Sequence, residues 1–281
     1  MLGTVTRLRR YPVKSMLGED VPASDVTDRG LTHDRALALV HRETGKVASA
    51  KNPRLWRSML TLAAVVTREG VEIRLPGGAT VGAADPGLDE MLSAVLGHPV
   101  ALADRPPPSA TLDRAVPEEV LRHGVAALVP VETSQIGTGS PAGTFFDFAP
   151  LHLLTTSTLD RIAALHPDGT ADAERYRPNI IIRTDVPGFT ENDWAGRELR
   201  IGRDLILRVI ARTPRCAIPT LEHGRLPRDT AAVRVLAGHN RVTPLASLAA
   251  QPCAGVYAQV LQPGRVRVGD QVDQIPDVGL N

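Results

Sequence analysis

The chain has 281 residues, 43% of them hydrophobic and 22% charged, and a net charge of +1 from 32 Lys+Arg against 31 Asp+Glu. That describes an ordinary globular protein of one large or two modest domains. Near-neutral charge and only 3% aromatic residues argue against a surface given over to nucleic acid or anionic membrane.

Gly3–Arg10 alternates into a strand that ends at Tyr11-Pro12. Lys14 and Ser15 follow, an ammonium beside a hydroxyl near free backbone N–H groups. That pair is either an anion site or a solvated loop. Lysine is scarce in this arginine-rich chain, occurring only at Lys14, Lys46 and Lys51. Asp34–His41 reads as a second strand, closed by the turn Glu43-Thr44-Gly45. Leu60–Thr67 and Val71–Leu75, with Pro76-Gly77-Gly78, read as hairpin elements. The pattern from Asp85 to Leu96 predicts a helix, with Asp85 as N-cap, Pro86 in the first turn and Gly97 at the end. Residues 104–111, with three prolines at 106–108, are a loop or linker.

A second region of regular structure begins near Asp147, and the domains are set at 1–115 and 116–281. Thr155 or Thr156 caps a helix running to Leu165. The hydroxyls of the Thr155–Thr158 segment either cap it or offer its N-terminus to an anion. His152, between two leucines, equally suits a satisfied core position. Arg175-Tyr176-Arg177-Pro178-Asn179 leads into an apolar strand ending at Arg183. Arg177 and Asn179 there are either a phosphate clamp with an amide reader or surface groups at a turn. Glu198–Ile201, Leu205–Ala211, Val256–Leu261 and Arg265–Val268 add strands. The pattern is mostly β with some α, an α+β chain of one or two β-barrels.

Arg215-Cys216 follows the Leu205–Ala211 strand. A thiol beside guanidinium groups suits a nucleophile, a redox sensor or a soft-metal ligand. Cys253, in Gln-Pro-Cys-Ala-Gly, reads as a structural thiol. Two cysteines make no disulfide framework. No apolar run approaches the roughly 20 residues that span a bilayer, and no leader pattern opens the chain. A cytoplasmic protein with free thiols and no membrane or nucleic-acid partner is expected. The chain has no P-loop, no Cys-x-x-Cys and no His-Glu-x-x-His motif, and no dinucleotide unit surrounds Gly137-Thr138-Gly139. One thiol and several separated anion-binding segments suit a soft metal on Cys216, carried by a large phosphorylated cofactor.

These residues resemble the MOSC family, the domain related to the C-terminus of molybdenum cofactor sulfurases, and within it the mitochondrial amidoxime-reducing component and its bacterial relatives. Tyr11-Pro12-Val13-Lys14-Ser15 is similar to the N-terminal barrel signature, and Asp34-Arg35 to its next strand. Tyr176-Arg177-Pro178-Asn179-Ile180 resembles the Arg-Pro-Asn motif. Glu191-Asn192-Asp193-Trp194, Arg215-Cys216 and Val268-Gly269-Asp270 resemble later blocks. The resemblance implies an N-terminal MOSC-type β-barrel domain packed on a C-terminal MOSC β-barrel. It also implies a molybdenum–molybdopterin cofactor, with Cys216 as metal ligand and catalytic residue. Lys14, Ser15, Arg35, Thr155, Thr158, Arg177, Asn179 and Arg215 would contact the pterin or its phosphate. At the level of the domain family, the resemblance implies pyridoxal phosphate binding as well.

Two departures stand out. Many relatives have Asp-Pro-x-Thr-Gly after the cysteine, whereas this chain continues Thr220-Leu221-Glu222-His223-Gly224. No ferredoxin-like cysteine cluster is present. The expected activity is reduction of N-hydroxylated or related oxygen-bearing small molecules, with electrons from a separate ferredoxin- or cytochrome-like protein. The rival readings are a cofactor or sulfur carrier, with persulfide on Cys216, and a β-barrel interaction protein.

Overall fold

Seven strands close into a barrel in the computed structural model, which describes residues 1–276. They are β1 (Gly3–Arg10), β2 (Leu151–Thr155), β3 (Ile180–Arg183), β4 (Glu198–Ile201), β5 (Leu205–Pro214), β6 (Gln251–Gln262) and β7 (Gln271–Ile275). The order around the barrel is β2-β3-β1-β7-β4-β5-β6, and β6 pairs back onto β2. Every pairing is antiparallel except β2 with β3. A parallel pair needs a crossover. Here the helices Thr156–Leu165 and Ala173–Tyr176 supply it.

The strand sequences follow from what covers each face. β5 buries Leu205, Leu207, Val209 and Ala211 in strict alternation, the period of a strand with one face in the core. β2 is buried throughout, and β3 from Ile180 to Ile182. Their inner residues Leu151, Leu153, Ile180 and Ile182 join the barrel core with Val5, Leu8 and Val256. On the outer side, Leu154 packs with Ile162 of one helix and with Val235 and Leu236 of the helix Ala231–His239. Burial on both faces produces the continuous apolar runs.

A second core gathers Val13, Met16, Leu39, Trp56, Met59, Leu62, Ile73, Leu92 and Val100. It is bounded by the pair Ala38–His41 with Val100–Ala103, by the three-stranded meander Ala63–Thr67, Gly70–Arg74 and Thr80–Gly82, and by the helix Leu88–Leu96. The mostly β, α+β architecture with a barrel is thus as expected. A cut after residue 115 would part β1 from its barrel neighbours β3 and β7. Residues 277–281, the end of the expected 116–281 unit, lie outside the described residues.

Several element boundaries differ from the sequence pattern. The helix near Leu96 starts at Leu88 after Gly87, which has φ 80°. Asp85 is not its cap. Its Oδ2 accepts instead from Gly82 N at 2.8 Å, because Asp85-Pro86-Gly87 forms a separate turn. Leu60 lies in the 3-10 turn Arg57–Thr61, ahead of the strand. Residues 34–37 are not strand. Arg35 has φ 48°, and the strand begins at Ala38. Arg265 lies in Gly264–Arg267, which pairs with Ala23–Thr27 outside the barrel. No helix among the described residues is long and apolar enough to cross a membrane.

Candidate functional site

Barrel register brings distant segments to one rim. Leu8 faces Ile180, Leu153 faces both Ile180 and Val256, and Arg212 faces Val256. The end of β1, the starts of β2 and β3, the middle of β6 and the last residues of β5 therefore meet there. At this rim lies a cleft. It is lined by Lys14, Ser15, Arg35, Arg177, Asn179, Arg215 and Cys216, together with Lys51, Arg114, Asp147, His152, Tyr176 and Tyr257.

A buried hub fixes the arginines. Asp34 Oδ1 accepts from Tyr11 N at 2.7 Å. Its Oδ2 accepts from Asn179 Nδ2 at 3.0 Å and pairs with the Arg35 guanidinium. Asn179 Oδ1 accepts from His152 N at 3.1 Å and Arg35 Nη1 at 3.3 Å, and its Nδ2 also donates to Arg9 O at 3.2 Å. Both acceptor and both donor positions of the amide are thus filled from within the chain. Asn179 sits at the cleft wall as a brace for Arg35. The Tyr11 ring stacks between cations, 4.8 Å from Arg35 and 4.2 Å from Arg177, a cation–π arrangement.

Backbone strain gathers here too. Five non-glycine residues have positive φ among the described residues, and Ser15 (65°), Arg35 (48°) and Arg177 (55°) all line the cleft. Each such residue costs on the order of 1–3 kcal/mol, and this strain clusters at functional sites. Arg177 follows the short helix Ala173–Tyr176 in left-handed conformation, which frees the next residues to enter β3.

The electrostatics are lopsided. Lys14 donates to Phe145 O at 2.7 Å and to Asp147 Oδ1 at 2.6 Å, and Lys51 lies 3.0 Å from Asp147 Oδ2. Burial lowers the pKa of Lys14 and brings that of Lys51 to about 8, with Asp147 opposing both shifts. The Asp147 carboxyl is held well below the usual range: burial acts to raise it, but the two lysines outweigh that. Arg177 Nη2 donates to Met16 O at 2.8 Å and Arg215 Nη2 to Tyr176 O at 2.7 Å. Arg177 Nη1 and Arg215 Nε are buried without a partner among the described residues. Burial and Arg215 lower His152 to about 3, so it is neutral near pH 7. Its ring nitrogens lie 3.3 Å from Arg177 O and 3.2 Å from Ala254 O.

Cys216 sits between Arg215 and the 3-10 turn Ile218–Thr220, is 7% exposed, and lines the cleft. The loop beyond it is tied down by Arg175, whose guanidinium donates to Pro219 O, Leu221 O and Pro227 O at 2.9–3.3 Å. Among the described residues no group of three or more His, Cys, Asp or Glu side chains is placed to hold a metal. Cys253 is fully buried on β6, its pKa pushed up to about 11 by burial.

Thr155 and Thr158 do not line the cleft. Thr155 Oγ1 caps the helix by accepting from Thr158 N at 3.2 Å, and both hydroxyls donate to Glu191 Oε2, at 2.6 and 2.7 Å. Sequence reasoning missed Lys51, Arg114, Asp147 and Tyr257. Lysine scarcity was a signal for Lys51, and the other three lie in segments with no motif of their own.

Fold and cleft together define a β-barrel protein with a cysteine set among buried cations at one rim. The chain belongs to the MOSC family: the MOSC domain matches residues 141–273 and the MOSC N-terminal beta barrel domain matches residues 2–87. It is 25% identical to mitochondrial amidoxime reducing component 2 of Rattus norvegicus, over 98% of this chain and 84% of that protein. To the Homo sapiens protein of the same name it is 24% identical, over 96% and 83%. Among solved structures it is similar to the YUAD protein from Bacillus subtilis, with 11% identity, TM-score 0.43 and coverage of 98% of this chain and 96% of that one. YiiM from Geobacillus stearothermophilus matches at 14% identity, TM-score 0.33, over 52% and 67%.

Proposed function

We propose that the protein is a molybdenum-cofactor oxidoreductase that reduces N-hydroxylated or related oxygen-bearing small molecules. The observation that carries this reading is one thiol, Cys216, in a cleft with buried cations left short of partners. Arg177 Nη1 and Arg215 Nε lack acceptors among the described residues, and Lys14 and Lys51 share one carboxylate. This donor set fits a ligand with an anionic end and a soft metal. Guanidinium and ammonium groups suit phosphate, and a thiolate suits the metal. One thiol alone does not complete a metal site, so the remaining donors would come from the cofactor.

Cys216 would hold the metal. Lys14, Lys51, Arg35, Arg177 and Arg215 would hold the phosphate-bearing pterin, with Asn179 bracing Arg35. When bound, the cofactor would supply two-electron chemistry, which the protein orients and tunes. Reduction of an N-hydroxyl group takes two electrons and two protons and releases water. The electrons require a separate donor protein, and the relatives' name, amidoxime reducing component, supports the substrate class. Two free cysteines agree with a cytoplasmic setting.

Metal analysis and pterin fluorescence on protein made in a cofactor-competent host test the reading. Molybdenum near one per chain is expected, and its loss in Cys216→Ser. Full metal content in that variant would falsify the ligand assignment. Bound molybdenum without turnover of N-hydroxylated compounds under a chemical reductant would leave the carrier reading.

A further inference from the structure

Two buried lysines share a single carboxylate in the cleft. The side chains of Lys14 and Lys51 are 4% and 8% exposed, whereas that of Asp147 is 31% exposed. The cations are walled in, and the anion has an open side. All three residues lie outside helices and strands. Lys14 N donates to Leu37 O, and Lys51 O accepts from Ala115 N. Asp147 belongs to the segment 136–150, which contains no helix or strand and turns at Gly137 (φ 71°) and Gly143 (φ 74°).

A phosphate-like group arriving beside these lysines meets Asp147 as a like charge in a site partly closed to water. Repulsion is costly there, and both anions compete for the same ammonium groups. We propose that Asp147 is a built-in counter-anion, which pairs Lys14 and Lys51 in the ligand-free protein and yields its place, with its loop, to an anionic group of the ligand. The proposal rests on reading the cleft as an anion site. It gives Asp147 two effects: it keeps buried lysines from standing unpaired, and it sets a competition that weakly charged ligands lose.

The experiment uses full-length, cofactor-free protein with inorganic phosphate as the probe. In calorimetric titrations Asp147→Asn should bind phosphate on the order of tenfold more tightly than the unaltered protein. In the unaltered protein, saturating phosphate should speed hydrogen exchange at the amides of Gly137 and Gly139. Those amides donate to Asp147 O and Phe148 O, so they are released when the loop shifts. Equal or weaker binding by Asp147→Asn, or exchange at these amides that is unchanged or slowed, overturns the counter-anion. If Asp147→Asn does not fold, the exchange result decides alone. No phosphate binding by either protein overturns the anion site itself, and the counter-anion with it.

Discussion

A lysine ammonium buried beside one carboxylate loses hydration that a single ion pair does not restore. Burial is the largest influence on Lys51. Asp147 and Cys216 oppose it, Arg114 and Lys14 reinforce it, and the pKa settles at about 8 against an ordinary 10.5. Between these values the unfolded chain holds the extra proton, so this group makes the ligand-free protein more stable as pH rises through that window. Anion binding runs the other way, because the cleft loses a positive charge as Lys51 deprotonates. Affinity for sulfate, whose charge is constant across the range, should therefore fall between pH 7 and pH 9. In Lys51→Arg, whose side chain stays charged, that slope should be absent. Calorimetric titrations across the range check it. Arg177 acts through its fixed position, held left-handed at φ 55° against Tyr11 with one buried donor unpartnered among the described residues. Losing a charge-assisted hydrogen bond of about 1.5–3 kcal/mol should weaken phosphate binding by roughly 10–100-fold in Arg177→Ala.

The helix Thr156–Leu165 shows how a correct element can carry an unexpected use. Its hydroxyl-rich start was legible, and Thr155 does cap it, but the group it meets is the chain's own Glu191 carboxyl, whose pKa burial raises. That carboxyl lies in the 3-10 turn Thr190–Trp194 and also accepts from Gly255 N at 3.1 Å. No local pattern reveals an acceptor 36 residues away. The same limit explains the other gaps. Strand periodicity exposed β1, β4 and β5, whose cores alternate or run continuously. The cleft residues Lys14, Ser15, Arg35, Arg177, Asn179, Arg215 and Cys216 stood in recognisable motifs. Asp147, in an irregular loop, had nothing beside it to mark it. Asp34 passed as a strand residue, although its carboxylate is the hub. In Thr155→Val the cap is lost at about 1 kcal/mol, and Glu191 loses a donor worth about 1.5–3 kcal/mol. Urea unfolding should show a loss of about 2–4 kcal/mol. Cofactor content per folded chain should stay unchanged, since the side chain lies outside the cleft. Loss of cofactor without loss of stability would put Thr155 back in the binding site.

At the scale of the whole molecule, chain order and barrel order disagree, and the disagreement is testable. β1 comes from the first ten residues yet sits between β3 and β7, strands more than 170 residues away. Its Val5 and Leu8 are buried in the barrel core, each contributing on the order of 2 kcal/mol of apolar burial. Removing β1 also strips ladder partners from two neighbours, leaving open edges in a fold whose closure otherwise removes them. A fragment of residues 116–281 would carry Cys216, Arg177 and Arg215 but lack β1, Lys14, Ser15, Arg35 and Lys51. We expect it to show no cooperative thermal transition. Cys253, fully buried in the intact protein, should be alkylated in the fragment without denaturant. Mixing in residues 1–115 should restore both the transition and the protection of Cys253, because β1 can then reinsert. If 116–281 melts cooperatively by itself with Cys253 protected, the barrel closes without β1, and the two halves are independent folding units that share only the cleft.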